Sequence, residues 1–170
     1  MKKELLISRD SICQRVRDLA RQISTDYEGK EPLLIGILKG SVFFFADLVR
    51  EISIPVKMDF VRAASYGSQM ESSGEIRLTK DVEMPVGGRP VILVEDIIDS
   101  GLTLSHIVQI MQEKGPESIK ICALIDKLER REKTVAVDYC GFRIEEGFLV
   151  GYGLDYDEKY RQLPEIYIIK

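Results

Sequence analysis

VILVEDIIDSGLT, at residues 91–103, is the stretch from which the fold of this chain can be predicted. Residues 91–98 are its strongest apolar run, and they predict a buried strand that delivers the adjacent carboxylates of Glu95 and Asp96. A short polar loop follows, and apolar residues at helical spacing then predict a helix over 103–114. The stretch is therefore interpreted as strand, loop and helix.

The loop at 99–103 contains groups that suit a phosphate. Gly101 allows an anion to approach the backbone, Ser100 and Thr103 supply hydroxyls, and the helix N-terminus supplies N–H groups and a favourable dipole. The nearby carboxylates would repel a bare phosphate, so we expect a ligand that also has hydroxyls, such as a ribose 5-phosphate. A hard divalent cation such as Mg²⁺ would balance these acids. The alternative is a capped helix beside solvated acids.

Outward from this stretch, strands and helices alternate. Helical spacing of apolar residues predicts helices over 12–23 and 42–49. Short apolar or alternating runs predict further strands at 33–38, 56–61, 75–78, 119–125, 135–137, 148–150 and 166–169. This alternation favours a parallel sheet covered by helices on both faces, with ligands at the carboxyl ends of the strands.

Residues 63–73 differ from this pattern, because they are rich in serine and glycine. A polar loop of this length is typical of a functional lid or of an ordinary surface loop, and composition favours neither.

Composition excludes several classes of protein. A chain of 170 residues suits one compact domain, and a net charge of −4 gives no electrostatic reason to expect nucleic-acid binding. Cys13, Cys122 and Cys140 show no C-x-x-C spacing, so we expect no disulfide framework or zinc site and a reducing, cytoplasmic location. No apolar run reaches the ~18 residues that suggest a membrane span.

The motif at 91–103 resembles the phosphoribosyl pyrophosphate signature of the type I phosphoribosyltransferases, in particular their hypoxanthine-guanine branch. The resemblance extends from Leu33 to Arg161, with the elements in the expected order. It implies a single α/β domain over 1–170: a parallel-sheet type I phosphoribosyltransferase fold with helices on both faces. A small hood over the base site, built by the N- and C-terminal segments, is also implied.

The resemblance implies a function in purine salvage. The reaction would be Mg²⁺-dependent transfer of the 5-phosphoribosyl group from phosphoribosyl pyrophosphate to hypoxanthine, giving IMP, or to guanine, giving GMP, with release of pyrophosphate. It also implies a homodimer or homotetramer with no nucleic-acid or membrane partner.

The phosphate and pyrophosphate contacts are implied residue by residue. The ribose 5-phosphate would contact Glu95, Asp96, Asp99, Ser100, Gly101, Leu102 and Thr103, and Asp99 would be the catalytic base for the proton on N7 of the purine. Leu102 stands where relatives often have a polar residue. The pyrophosphate would contact Lys39 and Gly40, in a Leu-Lys-Gly motif that often contains a cis peptide, and also Arg161, Ser65 and Tyr66. Ser65 and Tyr66 match the mobile catalytic loop, at about 63–80.

The purine and metal contacts are implied in the same way. Lys127 matches a lysine that contacts the 6-oxo group, Phe148 an aromatic ring that stacks on the purine, and Leu149 a backbone contact. Asp155 matches a position linked to the metal and to the purine edge. The implied Mg²⁺ ligands are Glu95, Asp96 and Asp155.

Three alternative functions remain compatible with the sequence. An RNA-binding regulator with this fold would need a basic surface, which the acidic composition argues against. A structural protein that only retains the fold would have lost a substrate-contacting residue, and Lys39, Asp99, Lys127 and Arg161 are all present. A xanthine-preferring enzyme of the same class is not excluded.

Overall fold

The computed structural model describes residues 1–66 and 75–170, although of Ser65, Tyr66 and Glu75 only the backbone is described. The helices and strands in this part of the chain, in order, are β1 Lys3–Ile7, α1 Arg9–Asp26, β2 Leu33–Leu38, α2 Val42–Glu51, β3 Lys57–Tyr66, β4 Glu75–Lys80, β5 Pro90–Ile98, α3 Leu102–Glu113, β6 Ser118–Lys127, β7 Tyr139–Ile144, β8 Phe148–Val150 and β9 Ile166–Ile169. None of the helices among these residues is long and apolar enough to cross a membrane.

The main sheet has six strands in the order β4-β3-β2-β5-β6-β7. Every pairing in it is parallel except that of β4, which lies antiparallel to β3 at one edge. The predicted parallel sheet is therefore confirmed. Because β2, β5 and β6 are central neighbours, the loops after their carboxyl ends meet at one edge of the sheet, where ligands bind in such folds.

Helices cover both faces of this sheet, as predicted. Helices α1 and α2 pack on one face, over a core that includes Leu34 and Ile92. Helix α3 packs on the other face, over Leu33 and Leu93. Successive strand residues point to opposite faces, so a strand covered on both sides is apolar at every position, as β2 is.

A second sheet of three antiparallel strands, in the order β1-β9-β8, joins the two ends of the chain. Strands β8 and β9 were predicted, whereas β1 was not. Leu5 and Leu6 are both exposed, so β1 has no single buried face and gives no clean alternation in the sequence. It is a strand because it pairs with β9, in a register that sets Lys3 opposite Ile169.

The strand predicted at 135–137 is wrong. Val135 and Val137 pack partly buried against the α3 side of the core, but the edge beside β6 is taken by β7, which begins two residues later. Strand β7 pairs with β6 from Tyr139 opposite Cys122. It was missed because Gly141 and Arg143 interrupt its apolar pattern.

The first residues of the polar loop predicted at 63–73 are strand instead. Strand β3 continues to Tyr66 because its last residues pair with β4, with Tyr66 opposite Glu75. The predicted mobile loop at about 63–80 is likewise a strand over 75–80. The remainder of that loop, residues 67–74, lies outside the described residues.

Candidate functional site

The loop between β5 and α3 is held in shape by Gly101 and by backbone contacts with residues 132–133. Gly101 adopts a positive φ of 83° at the start of α3, and a Cβ there would lie 2.4 Å from the carbonyl oxygen of Lys133. The Ser100 carbonyl accepts hydrogen bonds from the N–H groups of Glu132 and Lys133, at 2.8 and 3.0 Å. The Leu102 N–H donates to Ser100 Oγ at 3.2 Å. The first N–H groups of α3 have no carbonyl partner within the helix and can meet an anion.

Two adjacent acids precede this loop on β5. Glu95 is buried. Its burial raises the pKa of its carboxyl well above the usual value, and the charge of Asp96 is the second cause of this shift. The Asp96 N–H donates to Glu95 Oε1 at 3.0 Å, and the Ile97 N–H donates to Asp96 Oδ1 at 2.8 Å. The pair is therefore held by local backbone contacts, with its carboxylates facing a cleft.

That cleft has a volume of about 250 Å³. It lies between the ends of β2 and β5 and is lined by Ile37, Leu38, Gly40, Ala63, Glu95, Asp96, Ile97, Ile98, Asp99, Ser100, Gly101, Thr103 and Leu104. The acids and the phosphate loop predicted from the sequence thus face one space, together with Gly40 from the neighbouring strand end. Among the predicted phosphate-loop residues, Leu102 does not line it.

The loop after β2 lies against this acidic strand and contains a cis peptide between Leu38 and Lys39. A Cβ on Gly40 would lie 1.8 Å from Asp96 Oδ2, so the backbone approaches the carboxylate as closely as glycine allows. A Cβ on Gly153 would lie 2.0 Å from the Gly40 carbonyl. The segment after β8 is therefore packed directly on the β2–α2 loop.

Lys39 and Arg161 are brought together by that packing. Arg161 Nη1 donates to the Gly153 carbonyl at 2.6 Å, and Arg161 Nη2 lies 3.4 Å from Asp155 Oδ1. Glu158 lies between the two cations, with Oε2 3.2 Å from Lys39 Nζ and Oε1 3.0 Å from Arg161 Nη2. The predicted pyrophosphate cations thus form one cluster around a carboxylate.

The predicted purine contacts lie at the end of β6 and at β8. Lys127 is buried, with Nζ 3.7 Å from Asp99 Oδ1 and 3.6 Å from Glu129 Oε2. Glu129 also accepts a hydrogen bond from the N–H of Gly147 at 3.1 Å, which links Lys127 to the start of β8. Although Lys127 precedes a charged run, it is therefore not a solvated surface lysine.

Phe148, first in β8, is exposed, and its ring meets that of Tyr156 edge-on at 5.6 Å. By contrast Leu149 is buried in the core, opposite Ile168 of β9. An exposed aromatic ring at a strand start is available to stack on a ligand.

Asp99 lies between the phosphate loop and Lys127. Its Oδ1 is buried, and among the described residues this atom has no hydrogen-bond partner. A buried carboxylate oxygen without a donor is costly in a folded protein unless a ligand uses it. This oxygen therefore accepts no hydrogen bond from the described residues, and its one charged neighbour among them is the ammonium of Lys127 at 3.7 Å.

Arg131 is a site residue that the sequence analysis missed. Its guanidinium pairs with Asp126 and donates to three backbone carbonyls, those of Ile98 at 3.2 Å, Asp99 at 3.0 Å and Lys127 at 3.0 Å. It therefore connects the end of β5 to the end of β6. No local signal marks it, because it follows Arg130 in a charged run.

The metal ligands and the loop contacts remain predictions. Within residues 1–66 and 75–170 no three His, Cys, Asp or Glu side chains are arranged to hold a metal ion. The Asp155 carboxylate accepts from the Glu158 N–H at 2.9 Å. The side chains of Ser65 and Tyr66 lie outside what the structure describes.

Comparison with known proteins gives consistent results. Residues 6–157 match the phosphoribosyl transferase domain family. Hypoxanthine-guanine phosphoribosyltransferase of Bacillus subtilis is 43% identical over 168 residues, which cover 99% of this chain and 93% of that protein. The bifunctional protein TilS/HprT of Listeria monocytogenes is 44% identical over 168 residues, and the chain spans only 26% of its length.

The fold is shared with solved structures. A crystal structure of a hypoxanthine-guanine phosphoribosyltransferase from Bacillus anthracis, with a HEPES molecule in its active site, superposes with a TM-score of 0.94 at 45% identity. The superposition covers 100% of both chains.

Proposed function

The chain belongs to the phosphoribosyl transferase domain family, and on that premise we propose that it acts in purine salvage. It transfers the 5-phosphoribosyl group from phosphoribosyl pyrophosphate to hypoxanthine, giving IMP, or to guanine, giving GMP, and releases pyrophosphate. The names of the curated relatives and of the neighbouring structure support this substrate class.

The main support from the geometry is the position of Asp99. Asp99 is the first residue of the phosphate loop, and its carboxylate lies 3.7 Å from the buried ammonium of Lys127. A ribose phosphate in the loop and a purine beside Lys127 would therefore meet at Asp99, where the glycosidic bond must form.

We propose these contacts for the phosphoribosyl pyrophosphate. The 5-phosphate lies on the loop from Asp99 to Thr103 and the ribose hydroxyls face Glu95 and Asp96. The pyrophosphate meets Lys39, Gly40 and Arg161, with Ser65 and Tyr66 contributing from the end of β3. A guanidinium and an ammonium side by side suit phosphate oxygens.

Mg²⁺ is the cofactor that the family implies, and Glu95 and Asp96 suit it. Burial and the Asp96 charge raise the pKa of Glu95, a condition that a neighbouring cation would relieve. Mg²⁺ usually keeps several waters and is held by one or two protein carboxylates together with substrate phosphate oxygens, so a set of three carboxylates is not required. The bound cation would balance the charge of the departing pyrophosphate. Asp155 is a further proposed ligand, next to the pyrophosphate cations.

The proposed chemistry is one displacement at the anomeric carbon. The purine N9 attacks that carbon, the bond to the pyrophosphate oxygen breaks, and its electron pair leaves with pyrophosphate. The N7 proton passes to Asp99, whose buried Oδ1 has no other donor among the described residues. The positive charges of Lys39 and Arg161 stabilise the leaving group.

The purine is held by Phe148 and Lys127 in this proposal. The exposed ring of Phe148 stacks on the base, the Leu149 backbone contacts its edge, and the buried ammonium of Lys127 donates to the 6-oxo oxygen. Adenine presents an amino group there, which cannot accept from an ammonium and would leave it unpaired. This is the physical reason to expect a preference for 6-oxopurines.

A direct assay tests the proposed function. The protein is incubated with Mg²⁺, phosphoribosyl pyrophosphate and each of hypoxanthine, guanine, xanthine and adenine, and nucleotide formation is followed by absorbance and chromatography. We expect nucleotide from hypoxanthine or guanine and none from adenine. Folded protein that forms no nucleotide from any base would contradict the proposal and make RNA binding the next measurement.

Replacing Lys127 with Met is expected to raise the KM for hypoxanthine by roughly 10- to 100-fold, because a hydrogen bond from a charged donor contributes about 1.5–3 kcal/mol. The KM for phosphoribosyl pyrophosphate should change much less, since Lys127 does not contact it in this account. Lys133→Met, at an exposed position in the same connection, is the matched control. Equal changes in the two KM values would contradict the assignment of Lys127 to the base.

Replacing Gly40 with Ala is expected to lower kcat/KM for phosphoribosyl pyrophosphate by roughly 10²-fold, the cost of about 1 Å of misplacement in a reacting geometry. The added Cβ would meet Asp96 Oδ2 at 1.8 Å, so either the carboxylate or the loop must move. Gly87→Ala is the control, because a Cβ there meets nothing closer than 3.6 Å. An unchanged kcat/KM for Gly40→Ala would show that this contact is not needed.

The organisation of the protein is also proposed. The chain forms one domain over 1–170, with the sheet of β1, β9 and β8 as a hood over the base and the connection between β3 and β4 as a lid. The protein acts in the cytoplasm, which the unpaired Cys13, Cys122 and Cys140 support, and as a homodimer or homotetramer. Light scattering during size-exclusion chromatography measures the assembly.

A further inference from the structure

Glu158 stands where the proposed function puts a substrate anion. Its carboxylate contacts the ammonium of Lys39 at 3.2 Å through Oε2. It also forms a two-pronged contact with the guanidinium of Arg161, whose Nη2 lies 3.0 Å from Oε1 and whose Nε lies 3.4 Å from Oε2. The carboxylate thus binds the guanidinium through both of its oxygens, next to an ammonium group. A phosphate group would bind the same two cations in the same way.

The turn that presents Glu158 fixes it in this position. Tyr156 and Lys159 exchange backbone hydrogen bonds of 3.1 and 2.9 Å, and the two residues between them, Asp157 and Glu158, have φ values of 51° and 62°. Two central residues with positive φ define a type I′ turn, in which glycine is favoured at the second position. Glu158 occupies that position although a positive φ is unfavourable for a residue with a Cβ, so we expect its side chain to have a role there.

The contacts of Glu158 are also reversible. Its side chain is 62% exposed, whereas that of Arg161 is 23% exposed and is anchored to the Gly153 carbonyl. A rotation of the glutamate side chain into solvent would therefore release both cations without moving them. Hydrogen bonds from Arg161 and then Lys39 lower the pKa of Glu158, so it is a carboxylate at neutral pH.

We propose that Glu158 is an internal competitor of pyrophosphate: it holds Lys39 and Arg161 in the free protein, leaves them when the pyrophosphate group binds, and returns when pyrophosphate departs. The inference rests on the proposed function, because it takes Lys39 and Arg161 as the pyrophosphate cations. Its consequence is a weaker affinity for pyrophosphate than the two cations would otherwise provide, which favours release of that product.

The test is calorimetric titration of the whole protein with pyrophosphate in a buffer containing magnesium chloride. Glu158→Gln keeps the size of the side chain but removes its charge. The Kd of this variant for pyrophosphate is expected to fall about three- to tenfold, the modest effect expected of removing two solvent-exposed ion pairs. Asp157→Asn is the matched control, because among the described residues Asp157 makes no ion pair with either cation. Its Kd should stay within about twofold of the wild type, the residual effect expected of a non-contacting charge.

Salt distinguishes competition from a change in structure. The gain in affinity of Glu158→Gln should shrink toward the wild-type value at about 0.5 M salt, because exposed pairs are screened over a few ångströms there. An equal or weaker affinity for Glu158→Gln, or the same gain for Asp157→Asn, would overturn the inference while leaving the proposed function intact. Failure of all three proteins to bind pyrophosphate would overturn the pyrophosphate assignment, and the inference with it.

Discussion

Replacing Asp99 with Asn is expected to lower kcat by about 10²–10⁴-fold, the usual range for removing a general base. The amide has the shape of the carboxylate, and although the ion pair of Asp99 with Lys127 is lost, Lys127 keeps its ion pair with Glu129, so the fold should be preserved. What is lost is the ability to take the N7 proton. Steady-state kinetics with hypoxanthine measures this effect.

The control for Asp99→Asn is the same substitution at Asp10, an exposed residue in the first turn of α1. Asp10→Asn should leave kcat unchanged. A kcat for Asp99→Asn within about threefold of the wild type would remove Asp99 from the role of base, because that lies far below the effect of losing one.

Replacing Arg131 with Ala is expected to lower the free energy of unfolding by about 3–5 kcal/mol, the usual cost of removing one partner of a buried ion pair. The change leaves the buried Asp126 carboxylate without its guanidinium and the carbonyls of Ile98, Asp99 and Lys127 without a donor. Urea denaturation of the whole protein measures the loss.

Activity should fall with stability in Arg131→Ala, because the guanidinium fixes the backbone of both Asp99 and Lys127. Arg130→Ala, at the exposed neighbouring position, should change the unfolding free energy by less than about 0.5 kcal/mol. Combining Arg131→Ala with Asp126→Asn should recover part of the loss, since no unpaired charge remains buried. If Arg131→Ala unfolds at the wild-type urea concentration, the guanidinium does not have this role.

The phosphate loop could be predicted because its parts are contiguous. Glu95, Asp96 and the residues at 99–103 follow one another along the chain, so a strand, a glycine and a helix start can be interpreted without knowing what lies beside them. The apolar run of β2 was predicted to its ends for the same reason.

The environment of the base site could not be predicted locally. The burial of Lys127 comes from partners elsewhere in the chain, Asp99 and Gly147 by way of Glu129. The contacts of Arg131 reach back to carbonyls more than thirty residues earlier. Local patterns contain no information on such pairs, and the family resemblance named Lys127 but not Arg131.

The strand errors have a related cause. Strand β1 exists because it pairs with β9 at the other end of the chain, and β7 exists because the edge of β6 was open to it. Alternation at 135–137 was real, since Val135 and Val137 are partly buried, but no strand edge was available to them. A periodic apolar pattern indicates which residues are buried, whereas a strand also requires a neighbouring strand with which to form hydrogen bonds.

The most direct test of the account is a crystal structure of the protein with IMP, pyrophosphate and Mg²⁺. We expect the IMP phosphate on the loop at 99–103, the purine stacked on Phe148 with its 6-oxo oxygen next to Lys127 Nζ, and pyrophosphate between Lys39 and Arg161. A nucleotide bound with its phosphate on Lys39 and Arg161, or outside the cleft between β2 and β5, would contradict it.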